Sequence, residues 1–156
     1  MPLGIPEAME EEHEELHEEL RKATKMPGLV GKAAQQVAQL LHPHFERENE
    51  TVLPVIGVAR ELVEGGTSPD FAEALELADK FKLEYDKMLQ EHVEIVRALD
   101  ELEKAAKKAK KRDVIAFTGK LKLHAKTEEE LTYPAVLMLG KLLGELVHPH
   151  EEDCPS

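Results

Sequence analysis

Two stretches of the chain carry residue types that can bind a metal, at a spacing that aims them together. His44 is followed by Glu48 and Pro54, and His124 is followed by Glu128 and Pro134 in the same frame. Residues four apart on a helix lie one turn apart on one face, so each copy directs one imidazole and one carboxylate the same way. Val30, Ala33, Val37, Leu41, His44, Glu48, Val52, Val55, Ala59 and Leu62 recur at steps of three and four around the first copy. Val114, Phe117, Leu121, His124, Glu128, Leu131, Ala135, Met138 and Leu142 do so around the second. That periodicity is the buried stripe of a bundle helix, and His and Glu occupy slots that otherwise hold core residues. A buried ionised carboxylate costs several kcal/mol unless it is paired or binds a metal.

Two further stripes carry one His each. Met9, His13, Leu16 and Leu20 form one. The other is Phe71, Ala74, Ala78, Phe81, Tyr85, Met88, His92, Ile95, Leu99 and Leu102. A lone His in such a stripe is more often a hydrogen-bonded core residue than a ligand. The set His13, His44, Glu48, His92, His124 and Glu128, all near mid-helix, is harder to explain that way. Four imidazoles with two carboxylates suit a pair of first-row metal ions and point to iron before calcium or magnesium, which prefer all-oxygen shells. A structural zinc site is tetrahedral and often rich in Cys, and the chain has one Cys, Cys154. Glu10 and His13 match the Glu-x-x-His of ferritin-like di-iron proteins, but the spacing lies in a Glu-rich run and the other helices do not repeat it.

The elements that must position these residues are four long helices. Helix A is expected from about Pro6 to Ala23, with the acidic run Glu10 to Glu12 near its N-terminus and Met26-Pro27-Gly28 ending it. Helix B is expected from about Leu29 to Val63, kinked at Pro43 and Pro54 and stopped by Gly65-Gly66. Ser68 as N-cap and Pro69 in the first turn start helix C. The basic segment Lys104 to Arg112 closes helix C and turns into helix D, from about Asp113 to Leu146. This predicts an all-α protein: an up-down-up-down four-helix bundle. His13 with His92, and His44-Glu48 with His124-Glu128, predict a pseudo-twofold internal repeat. One domain is expected over residues 1–156, with its core at about 7–146 and a short polar tail at 147–156.

Composition agrees. The 156 residues are 42% hydrophobic and only 4% aromatic, and Glu, Lys, Leu and Ala dominate. A net charge of −12 opposes nucleic-acid binding. No apolar run of about 18 residues suggests a membrane span. The N-terminal stretch lacks the pattern of a signal peptide, and a lone Cys suits a reducing compartment, so a cytoplasmic protein with no appended domain is expected.

The motifs resemble those of the hemerythrin-like, or HHE cation-binding, domain. The resemblance covers about Glu7 to Leu146 and rests on Glu12-His13, His44-Phe45 with Glu48 and Leu53-Pro54, Glu91-His92, and His124 through Tyr133-Pro134. It implies a bundle holding two non-haem iron ions (Fe2+/Fe3+), with an oxo or hydroxo bridge, at His13, His44, Glu48, His92, His124 and Glu128. It also implies that the protein binds or senses O2, peroxide, NO or a similar small ligand, or handles iron. An enzyme, if it is one, would be a di-iron oxidoreductase acting on peroxide or O2. Oxygen carriers of the family have a fifth His on helix C, where this chain has Met88 and Val96 flanking His92. His17, four after His13, is the candidate for that fifth imidazole. Tyr85, Met88 and Tyr133 read as core, and His42, His148 and His150 as surface residues.

Overall fold

The computed structural model describes residues 3–149. Its elements are α1 (Glu7–Thr24), α2 (Gly28–Thr51), α3 (Leu53–Gly57), α4 (Ala59–Glu64), α5 (Asp70–Lys108), α6 (Arg112–Thr127), one π-helical turn (Glu128–Thr132) and α7 (Tyr133–Val147). There is no strand among the described residues. α2 packs on α1 and α5, α5 packs on α6 and α7, and α1 packs on α6. One apolar cluster joins the end of α1, the start of α2, the end of α5 and the start of α6. Ends meeting starts in this way make neighbouring helices antiparallel, so the fold is an all-α bundle of four long rods. A second apolar cluster, built by α3, the first half of α5 and α7, fills the other end. The predicted His and Glu residues lie between the two clusters.

Local chemistry sets the boundaries. α5 ends in a Schellman arrangement: Lys111 N–H donates to the Ala106 carbonyl and Lys110 N–H to that of Lys107. Lys110 takes the left-handed conformation (φ 56°) that glycine usually supplies. α5 starts at Asp70 with Pro69, not the expected Ser68, at the N-cap position, and Ser68 Oγ still accepts from Asp70 N–H at 3.2 Å. Gly57 has a steric role: a Cβ there would stand 2.1 Å from the Gly4 carbonyl oxygen, so the N-terminal segment can cross only a residue without a side chain.

Two expectations about the long helices need correction. Helix B is not one kinked rod from 29 to 63. α2 runs on through Pro43, and the rod breaks at Val52, just ahead of Pro54, and again at Val58. Pro54 has no N–H to give to the preceding turn, whereas the single bond lost at Pro43 is tolerated by the long helix around it.

Helix D changes its frame. In a π turn the hydrogen bonds reach one residue further back, so a residue is inserted and the exposed face rotates. The expected stripe holds through Val114, Phe117, Leu121 and Glu128, all buried. Beyond the turn the buried residues are Tyr133, Val136 and Leu143. The expected Leu131, Met138 and Leu142 instead face solvent, at 67%, 66% and 42% exposure. Pro134, which cannot donate to the preceding turn, accompanies this shift as Pro54 accompanies the break in α2.

Candidate metal centre

His13, His44, Glu48, His92 and Glu128 are buried, and the His124 side chain is 9% exposed. They come from α1, α2, α5, α6 and the π turn, one His from each of the four rods. Their ligand atoms fall into two groups, each with all atoms within 4.8 Å of one another: His13, Glu48, His124 and Glu128, and His44, Glu48, His92 and Glu128. Both carboxylates belong to both groups, and each group has two imidazoles. Glu128 lies between its groups: Oε1 is 3.3 Å from His92 Nε2 and Oε2 is 3.4 Å from His124 Nε2. Glu48 Oε1 is 3.6 Å from His44 Nε2 and 3.8 Å from His13 Nε2. The structure thus brings the six predicted residues to one place.

The other imidazole edges are held from outside. Glu91 is 3.1 Å from His44 Nδ1 and is ion-paired to Arg47. Glu129 is 2.9 Å from His92 Nδ1, and Glu12 hydrogen-bonds His124 Nδ1. A carboxylate on Nδ1 fixes the tautomer that leaves Nε2 free to ligate and raises its basicity. Sequence reasoning named Glu12 and Glu91 only as parts of a motif and did not single out Glu129. The available signal was an acidic residue directly before His13, directly before His92 and directly after Glu128.

Tyr133, read from sequence as a packing residue, belongs to the centre. Its hydroxyl donates to Glu48 Oε2 at 2.9 Å and lies 3.1 Å from His92 Nε2 and 3.2 Å from His44 Nε2. Its ring packs on Phe81 and lies nearly parallel to the His92 ring. Phe45 stacks on His13 at 4.0 Å and forms a wall of the site.

His17 stands apart. It is half-buried, edge-on to His42 and Phe45, and belongs to neither group of converging ligand atoms. It lines a groove of about 640 Å³ between α1 and α2 together with His42 and Arg21. His42 is exposed and pairs with Glu46, and His148 is exposed. Tyr85 is half-buried beside Phe81 and Tyr133, and Met88 is fully buried. His150 and Cys154 lie outside the described residues.

The electrostatics define a demand for positive charge. Burial, and then the charge of Glu128, push the Glu48 carboxyl well above the usual range. Burial pushes Glu128 the same way, but the close approach of Glu48, His124 and His92 outweighs it and holds Glu128 ionised. Without a cation the two carboxylates therefore share one proton, carried on Glu48. Burial, and then His92, bring His44 down to about 3, so its imidazole is neutral. Burial also lowers His13, against Glu128. Burial works to lower His124 too, but Glu128 and Glu12 reverse it and raise that group. Burial, and then the charge of Glu48, raise Tyr133, which keeps its proton and acts as a donor.

The residues fit metal ions. His124 Nε2, Glu48 Oε1 and Glu128 Oε2 are buried with no hydrogen-bond partner, and all three face the cluster. Such atoms are costly unless something positive meets them. His44 Nε2 and His92 Nε2 are 2.9 Å apart. Two nitrogens bound side by side to one first-row ion at about 2.1 Å would be about 3 Å apart. Beside the centre lies a cavity of about 10 Å³, walled by Leu41, Phe45, Ile95, Leu121 and Ala125 and closed by His44, His92, His124 and Glu128.

Fold and site together define a helical bundle whose interior is built to hold cations by imidazole and carboxylate. The family described as Hemerythrin HHE cation binding domain matches residues 5–136, and the chain belongs to it. Comparison with curated proteins and with solved structures gave no match. Among the described residues no helix is long and apolar enough to cross a membrane.

Proposed function

We propose that the chain holds two iron ions, one between His13 and His124 and one between His44 and His92, with Glu48 and Glu128 shared by both. There it would bind or sense O2 or a related small ligand such as peroxide or NO. Two iron ions would supply redox electrons and exchangeable coordination positions, and an oxo or hydroxo bridge between them agrees with two shared carboxylates. The observation that carries this reading is the membership of both buried carboxylates in both ligand groups.

The protein residues have separable tasks in this reading. Glu12, Glu91 and Glu129 orient imidazoles by holding Nδ1. Tyr133 holds a proton at Oη between Glu48, His44 and His92, available as a hydrogen-bond donor. Phe45, Ile95, Leu121 and Ala125 exclude water. The adjoining cavity, about 10 Å³, is on the order of one water-sized probe, so the ligand is small. A lone Cys suits action in a reducing compartment, and no nucleic-acid partner is expected at −12.

A second reading is a peroxide-decomposing oxidoreductase. It is favoured by the equal share of two imidazoles per ion, with His17 outside the centre, which leaves both ions an exchangeable position. The iron-loaded protein should be exposed to O2 and, separately, to peroxide, following visible absorption and peroxide consumption. A reversible spectral change without turnover supports binding or sensing. Sustained turnover supports the enzyme. No change with either ligand contradicts both.

A further inference from the structure

The two cation positions are alike in their ligands but not in how those ligands are held. The chain correspondence that sets His13 against His92 and Glu48 against Glu128 also sets Glu12 against Glu91 and Asn49 against Glu129. Glu12 reaches His124 as Glu91 reaches His44. The last correspondence fails: Glu129 binds His92 Nδ1, but the side chain facing His13 is the neutral amide of Asn49. His13 Nδ1 is buried and makes no hydrogen bond. No carboxylate fixes the tautomer of His13; only the neutral Asn49 amide and the stack on Phe45 bear on its ring.

Burial follows the same division. The side chains of His44 and His92 are 1% and 3% exposed, and those of His13 and His124 are 6% and 9%. The Tyr133 hydroxyl lies on the His44/His92 side only. His44 and His92 Nε2 already have the mutual spacing that one ion requires. A preset, deeply buried pair loses less freedom on binding than one whose member lacks a carboxylate partner.

We infer that the positions fill in a fixed order: the cation between His44 and His92 binds first and is retained, and the one between His13 and His124 binds second and leaves first. The inference rests on the two-ion reading above. Asn49 and Glu129 are then positioning residues that set the gap between the two affinities. Occupancy of the outer position would follow the free metal concentration, so a one-ion form would be populated when metal is scarce.

The test is anaerobic titration of the metal-free full chain with Co2+, followed by calorimetry and visible absorption. Two steps are expected, separated by about tenfold or more, the typical effect of an orienting partner on metal affinity. Glu129→Gln should weaken the first step by about tenfold and spare the second. Asn49→Glu, at an exposed position, should tighten the second step and narrow the gap. His13→Ala should keep the tight step and lose the weak one. Two wild-type steps of equal affinity, or loss of the tight step in His13→Ala, would overturn the inferred order and leave the two-ion reading standing. A wild-type total of one Co2+ per chain would overturn the two-ion reading itself. An unchanged second step in a folded Asn49→Glu protein would remove Asn49 from the account.

Discussion

Removing the Tyr133 hydroxyl tests the site without any metal. Tyr133 is fully buried, and its Oη donates to Oε2 of Glu48, which is also fully buried. The other Glu48 oxygen has no hydrogen-bond partner. Tyr133→Phe keeps the ring against Phe81 and His92, so little apolar packing is lost. It leaves a buried carboxyl oxygen without its hydroxyl donor. Leaving such a group unsatisfied costs about 1–3 kcal/mol. For a chain of this size that is a fall in Tm of about 2–4 °C per kcal/mol. Urea unfolding of the metal-free variant, read by circular dichroism, measures the loss directly. Tyr85→Phe, at a half-buried neighbour, is the control and should stay within about 0.5 kcal/mol of wild type. If Tyr133→Phe is as stable as wild type, the hydroxyl is not a structural donor to Glu48, and its place in the centre is refuted.

Three further predictions follow from the same geometry. Leu143→Ala, fully buried beyond the π turn, should cost about 2–5 kcal/mol, whereas Met138→Ala should cost less than about 0.5; reversed values in denaturant unfolding would restore the uninterrupted stripe. The metal-free protein should lose the stability contributed by neutral His44 as pH falls from about 6.5 towards 3, because the unfolded imidazole takes up a proton that the folded one refuses. Glu48 has the opposite sign: its raised folded value makes its contribution present below the usual carboxylate range and lost as pH rises through that folded value, so His44→Leu should flatten only the acid limb of an unfolding series. Cation affinity should rise with pH until the raised folded value of Glu48 is passed, because binding displaces the proton shared by Glu48 and Glu128; a pH-independent Co2+ affinity would contradict the shared proton.

The six converging residues were legible because each lies in a stripe of regular steps before any irregularity in its helix. His44 and Glu48 precede the break at Val52, and His124 and Glu128 precede or open the π turn. Past those points the period fails. The inserted residue turned Met138 and Leu142 outward and Tyr133 inward. Tyr133 follows Glu128 by five residues, a separation that does not share a face in an α-helix but does in a π turn. Pro134 marked the place, by the reasoning already applied to Pro54. Glu12, Glu91 and Glu129 were harder to read, because each reaches a His on a different rod and their pairing depends on how the helices pack. His17 has the right spacing from His13, yet Phe45 and His42 occupy its surroundings, and spacing within one helix contains no information about either.

The central claim is that two cations share Glu48 and Glu128. Metal analysis after anaerobic iron reconstitution tests it most directly, with Mössbauer spectra of the same sample. Two iron ions per chain, exchange-coupled in the oxidised form, are predicted, with coupling lost in Glu128→Ala. One ion per chain, or two that remain magnetically independent, would contradict it.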